Sequence, residues 1–195
     1  MSTVTIMPRG GIAKDAISSH LASDRLTLDL VRDQDVDALH ALAGELLVCR
    51  HVFAERPPNH VQVSGLIARS TFLHTVSGTG VWAIRRRAGS GIIGIAALWP
   101  HQYEAGSPPR MELVFALSAR YEGAGFAAEA CDTLIDYARK RLGWSVLHSR
   151  VDLHNTEANR LLWRLGFVEH MVVRGPTGPL RISALELSRP LSLLF

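Results

Sequence analysis

Met111-Glu-Leu-Val-Phe-Ala-Leu117-Ser-Ala-Arg-Tyr-Glu-Gly123-Ala-Gly125-Phe-Ala-Ala-Glu-Ala130, continuing to Leu142, is the stretch that decides the fold. Met111 to Leu117 is an apolar run rich in strand formers. Gly123 and Gly125 then impose a tight turn. From Phe126 the apolar residues recur at helical spacing, at Phe126, Ala130, Leu134, Tyr137 and Ala138. The stretch therefore reads strand, small-residue loop, helix. The loop Gly123, Ala124, Gly125, Phe126, Ala127 and Ala128 lets backbone N–H groups come close to a ligand, and the first N–H groups of the helix lack intrahelical acceptors. With the helix dipole this makes an anion site suited to a pyrophosphate. The loop alone is equally consistent with plain close packing. A P-loop is excluded, because the chain reads Gly-Phe-Ala where Gly-Lys-Ser/Thr is required. A G-x-G-x-x-A dinucleotide fingerprint fits Gly123, Gly125 and Ala128.

The flanking sequence separates these alternatives. Leu26 to Leu30 alternates as a half-buried strand. Asp33 is the expected N-cap of a helix burying Val36, Leu39, Ala43, Leu46 and Leu47. After Pro57 and Pro58, Asn59 is the expected cap of a second helix carrying Val63, Leu66, Ile67 and Phe72. Val81 to Ile84 and Ile92 to Trp99 read as an antiparallel hairpin. Beyond the central helix, Val146 to Leu153 is a strand reached through a parallel crossover. Asn155 to Leu165 is a short helix stopped by Gly166. Phe167 to Val173 and Leu180 to Leu187 close the chain as a hairpin. The order is βααβββ–α–β–α–ββ, an α/β (α+β) class with one crossover, where a dinucleotide domain would repeat βαβ units. That fingerprint also wants an acid about 20 residues after the loop, and the nearest candidate, Asp152, lies 27 residues past Gly125.

Composition bounds the function. The chain has 195 residues, 47% hydrophobic and 20% charged, which suits one globular domain. Residues 1–22 read as a loose arm and residues 23–195 as a single domain. No apolar run reaches the ~20 residues of a membrane span, and Met1 to Ser23 lacks the apolar centre of a signal peptide. Cys49 and Cys131 form neither a disulfide framework nor a metal motif, which points to a reducing cytoplasm and no metal. The net charge is only +3. The one basic run, Arg85-Arg86-Arg87, falls at an expected hairpin turn with no interleaved aromatics, so it reads as solvated charge and not as a nucleic-acid patch.

Three stretches together resemble the GNAT superfamily of acyl-CoA-dependent N-acyltransferases, and within it the ribosomal-protein N-terminal acetyltransferases. Ser23-Asp24-Arg25-Leu26-Thr27-Leu28 is similar to that branch's opening strand. Tyr121 to Ala130 is similar to its CoA-pyrophosphate loop, of general form Gln/Arg-x-x-Gly-x-Gly/Ala, with Gly125 and Ala127 as the small residues and Glu122 departing at the first position. Asn155 to Phe167 is similar to its Asn-x-x-Ala/Ser-x-x-Leu-x-x-x-Leu-Gly-Phe segment. The resemblance covers Ser23 to Arg189. It implies a mixed, mostly antiparallel sheet splayed between its two middle strands, with helices on both faces.

The resemblance also implies transfer of an acetyl (acyl) group from acetyl-CoA to a primary amine, a protein or peptide N-terminus among the candidates, by direct attack on the thioester. The pantetheine arm would pair with the backbone around Phe115, Ala116 and Leu117, and the pyrophosphate would sit on Gly123 to Ala128. Asn155 reads both as a ligand to the arm and as a plain helix cap. The attacking amine must lose a proton. Glu112, the one carboxylate in the apolar strand, is the candidate base, with a structural glutamate as the alternative. Many family members carry a tyrosine acid where this chain has Leu162, and some carry a glutamate base where it has Arg150. The amine should enter between the first two helices and the closing hairpin, near His51, His60, His74, His101 and His154, none of which is given a role. A homodimer stays open. The rival from another class is a non-catalytic acyl-CoA-binding module.

Overall fold

The computed structural model describes residues 17–45, 56–89, 91–103, 106–176 and 178–187. Leu46, Leu47, Cys49, His51 and residues 1–16 of the expected arm lie outside them. The described elements are β1 (His20–Ala22), β2 (Leu26–Leu30), α1 (Val36–Ala43), α2 (His60–Ser77), β3 (Gly80–Arg86), β4 (Ile92–His101), β5 (Arg110–Leu117), α3 (Phe126–Lys140), β6 (Val146–Asp152), α4 (Thr156–Arg164), β7 (Val168–Arg174) and β8 (Pro179–Glu186). They build one eight-stranded sheet in the order β1-β2-β3-β4-β5-β6-β8-β7. All neighbours run antiparallel except β5 and β6.

Strand alternation sorts the side chains into two layers. Val81 and Ala83 of β3, with Ile95 and Ala97 of β4, meet Leu39, Leu42, Val63 and Ile67 of α1 and α2. Trp82, Ile84, Ala96 and Leu98 point the other way, onto Ala130, Leu134, Tyr137 and Ala138 of α3. Helices thus cover both faces. Fully buried residues such as Leu26, Leu28 and Leu147 anchor the α3 layer, each contributing about 1.5–3 kcal/mol of apolar burial.

β5 is held along its length by β4, from Gly94 opposite Leu117 to His101 opposite Arg110. β6 is held along its length by β8. Between β5 and β6 only Glu112 and His148 are in register. One residue on, the Leu113 carbonyl accepts from the Ser149 hydroxyl at 3.0 Å, a side chain standing where a ladder N–H would be. From there the two strands part, which is the expected splay.

Several expectations are corrected. Asp33 is not the cap: Asp33–Asp35 forms a 3₁₀ turn and α1 starts at Val36. Asp35 Oδ2 instead accepts from the Arg32 N–H at 2.9 Å, and its Oδ1 takes Arg85 Nη2 at 2.6 Å. Arg85 is accordingly not solvated turn charge but a strand residue in a mostly buried ion pair. Its neighbours are also engaged: Arg86 lies over the Tyr121 ring at 5.5 Å, and Arg87 Nε donates to the Ser23 carbonyl at 2.8 Å. Phe72 is 65% exposed, because the buried face of α2 runs Val63, Ile67, Ser70, Leu73, His74, Ser77 and passes it by. Residues His20–Ala22, read as the end of an arm, pair with β2 as an edge strand. Asn59 does cap α2, in a reciprocal box with Gln62 in which both bonds are 2.9 Å. No helix among the described residues is long and apolar enough to cross a membrane.

Candidate active site

Gly123 and Gly125 take left-handed φ of 74° and 78°, conformations that cost an L side chain about 1–2 kcal/mol. Gly125 is the N-cap of α3, and the first N–H to bond back is that of Glu129, to the Gly125 carbonyl at 3.1 Å. The N–H groups ahead of it open to the outside of the turn. Arg25 clamps this corner: Nη1 donates to the Ala124 carbonyl at 2.9 Å, Nε meets Glu129 Oε2 at 2.6 Å, and the guanidinium lies 4.7 Å from the Phe126 ring centre. Glu129 also accepts from the Ser23 hydroxyl and the Arg25 N–H, both at 2.7 Å. Burial pushes the Glu129 carboxyl up, and these donors more than reverse it, holding the group below its ordinary value. Arg25, on the turn before β2, thus sets a cation at the loop.

Beyond their one register pair, β5 and β6 leave a gap. The Leu113 carbonyl faces the gap. By the two-residue period, the N–H and C=O groups of Phe115 and Leu117 face it too. Ala116 turns the other way: a Cβ built at Gly94 on β4 would lie 2.4 Å from the Ala116 carbonyl oxygen. Of the three candidate backbone partners, Phe115 and Leu117 line the gap and Ala116 bonds β4. Across the gap, Asn155 is the N-cap of α4, with Oδ1 accepting from the Ala158 N–H at 3.1 Å. Among the described residues its Nδ2 has no partner.

At the vertex, where the strands last pair, β4, β5 and β6 turn Trp99, His101, Glu112, His148 and Arg150 to the α1–α2 face. Glu112 is 3% exposed. The Tyr103 hydroxyl, from the segment joining β4 to β5, donates to its Oε1. Arg150 Nη2 stands 3.6 Å from Oε2, and Arg150 Nη1 donates to His101 Nε2 at 2.5 Å. The Tyr103 ring meets His101 edge-on at 5.0 Å and lies 5.3 Å from the Arg110 guanidinium. Burial and the hydrogen bond to Glu112 push the Tyr103 hydroxyl well above its ordinary range. Burial lowers His101, an effect that Glu112 opposes and Arg150 reinforces. Burial, Arg110 and His170 lower His148, whose buried Nδ1 has no partner among the described residues. Leu162, where an acid was sought on α4, is buried in the core.

The structure sets Tyr103 and His148 beside Glu112 and Arg25 beside the loop, three residues the sequence reading had not named for the site. The available signal for Tyr103 was a tyrosine 9 residues before the lone strand carboxylate. His148 becomes visible only with the β5–β6 register.

Residues 25–168 match the profile of the acetyltransferase (GNAT) domain family. An uncharacterized N-acetyltransferase of Bacillus subtilis, YoaA, is 29% identical over 157 residues, covering 79% of this chain and 85% of that one. Among solved structures, a chain of Bordetella pertussis described as a GNAT-family acetyltransferase superposes with a TM-score of 0.74 at 18% identity, covering 86% of this chain and 99% of that one. RimL, a ribosomal L7/L12 α-N-protein acetyltransferase in complex with coenzyme A, superposes with a TM-score of 0.72 at 12% identity, covering 86% and 97%. The splayed sheet, the strand–loop–helix corner and the matched profile agree, and the chain belongs to the GNAT family as an acyl-CoA-dependent acetyltransferase.

Proposed function

We propose that the protein transfers the acetyl group of acetyl-CoA to a primary amine, a protein or peptide N-terminal α-amine, by direct attack on the thioester. The observation that carries this reading is the single β5–β6 register pair, with an open strand edge on one side of it and a sealed carboxylate at its vertex. The pyrophosphate rests on the N–H groups of Gly123 to Ala128, with Arg25 beside them. The pantetheine arm lies in the gap, bonded by Phe115 and Leu117, with the Asn155 amide facing it. The thioester then stands at the vertex, where a gap-facing backbone N–H of β5 receives its oxyanion. Glu112 receives the proton the amine must lose. The likeness to an α-N-protein acetyltransferase supports a peptide terminus as the first acceptor to try.

Thiol release from acetyl-CoA tests the reading, with unblocked peptides, the same peptides N-terminally blocked, a polyamine and an aminoglycoside as acceptors. Release with unblocked peptides alone is expected. Release only with the polyamine or the aminoglycoside overturns the acceptor class. Release with none of them overturns the reaction.

A further inference from the structure

Glu112 is closed to the acceptor it is meant to serve. Its side chain is 4% exposed, and two described groups reach its oxygens, the Tyr103 hydroxyl and Arg150. The guanidinium cannot carry a proton in and out, because it stays charged at every working pH. His101, the next group out, spends Nε2 on Arg150. The phenol is different. A hydroxyl gives one proton and accepts another at the same atom. Tyr103 is only half-buried, with its hydroxyl on Glu112 and its ring beside His101, His148 and Arg110.

Building on the role given to Glu112 above, we propose that the acceptor amine passes its proton to Glu112 through the Tyr103 hydroxyl. The steps balance. As the amine nitrogen bonds the thioester carbon, its N–H breaks and a new O–H forms on Tyr103. The original Tyr103 O–H breaks and an O–H forms on Glu112. When the C–S bond breaks, the path runs outward: Glu112 returns its proton to Tyr103, and Tyr103 delivers one to the CoA thiolate. The net change is one N–H for one S–H. Tyr103 enters and leaves as a neutral phenol, in keeping with a hydroxyl that burial and its bond to Glu112 keep protonated. The relay also supplies the thiolate with a proton that α4, with Leu162 turned into the core, does not.

Tyr103→Phe keeps the ring and removes the relay. The expected result is a fall in turnover of about 10²-fold or more at neutral pH, with unchanged CoA affinity and a thermal midpoint lowered only as far as the loss of one donor to a buried carboxylate requires. The double variant Tyr103→Phe/Glu112→Gln should be no slower than the slower single variant, as for two parts of one unit. Tyr103→His, which again offers an atom that accepts and gives protons, should recover part of the loss. Full turnover in Tyr103→Phe beside a slow Glu112→Gln overturns the relay alone, as do losses that multiply in the double variant. Full turnover in Glu112→Gln overturns the role of Glu112 itself, so the two failures are distinct.

Discussion

A carboxylate among apolar strand residues needs a reason to be there, and Glu112 has the Tyr103 hydroxyl bonded to one oxygen and the Arg150 guanidinium 3.6 Å from the other. Such contacts satisfy a structural glutamate as well as a working one, so they do not separate the roles. Rates do. Glu112→Gln should lower turnover at neutral pH by about 10²–10⁴, leave CoA affinity alone, and lose less at high pH, where the amine arrives uncharged. Equal losses at every pH would mark a positioning residue. Three imidazoles make a second prediction. Burial holds His74, His101 and His148 below the ordinary histidine value. For each, the unfolded chain binds the proton more readily. The stability they contribute is therefore present above the ordinary value near 6.5 and is lost as pH falls through the lower folded values. Urea midpoints should drop between pH 7.5 and 5.5, and replacing His101 and His148 by Gln should flatten that slope. A slope unchanged by both replacements would place the titration elsewhere.

α4 begins at a residue proposed to serve both the helix and a ligand. Asn155 holds the helix start through Oδ1, and its Nδ2 has no partner among the described residues. Asn155→Ala should cost about 1 kcal/mol of stability as a lost cap and raise the KM for acetyl-CoA more than that for the amine. A stability loss with both constants unchanged would leave the cap as its whole function. Elements like this were legible because their signals are local. Alternation marked Leu26 to Leu30, Pro-Pro-Asn marked the start of α2, and the glycines marked the corner before α3. The misreadings were also local in origin. Asp33 satisfies a cap rule, but Asp35 is drawn to Arg85, a partner 50 residues away. Phe72 is apolar at the wrong angle, and the buried face of α2 passes through Ser70 and His74 instead. His20–Ala22 is too short to announce itself and becomes a strand only because β2 offers an edge. Of the candidate site, the loop and Asn155 could be read from motif spacing. The convergence of Tyr103, His101, Arg150 and His148 on Glu112 could not, since it depends on the register of three strands.

The whole sheet is two strand sets joined at one register pair. β1 to β5 form one, and β6, β8 and β7 the other. The molecule does not fall open there, because the α3-side core runs beneath both: Leu147, Leu162, Phe167 and Leu185 pack in the same cluster as Leu113, Leu134 and Trp82. The strands thus part above a continuous core, and among the described residues β5 and β6 share one register pair. If the pantetheine fills the gap, backbone groups facing it gain partners and those already paired do not. Amide hydrogen exchange should therefore slow on CoA addition at Phe115, at Leu117 and in the first turn of α3. Ala116, bonded to β4, and the paired residues of β3 should change little. Ligand at about 100 times its dissociation constant adds ~2.7 kcal/mol, which for a chain of this size raises the thermal midpoint by roughly 5–10 °C. Gly125→Val forces a branched side chain onto a backbone at φ 78°, with the Arg25 guanidinium 3.4 Å from the new Cβ. A folded Gly125→Val protein should lose both the protection and the shift. Protection spread evenly over the sheet, with no preference for Phe115 and Leu117 over Ala116, would mean that CoA stabilises the molecule from somewhere other than the gap.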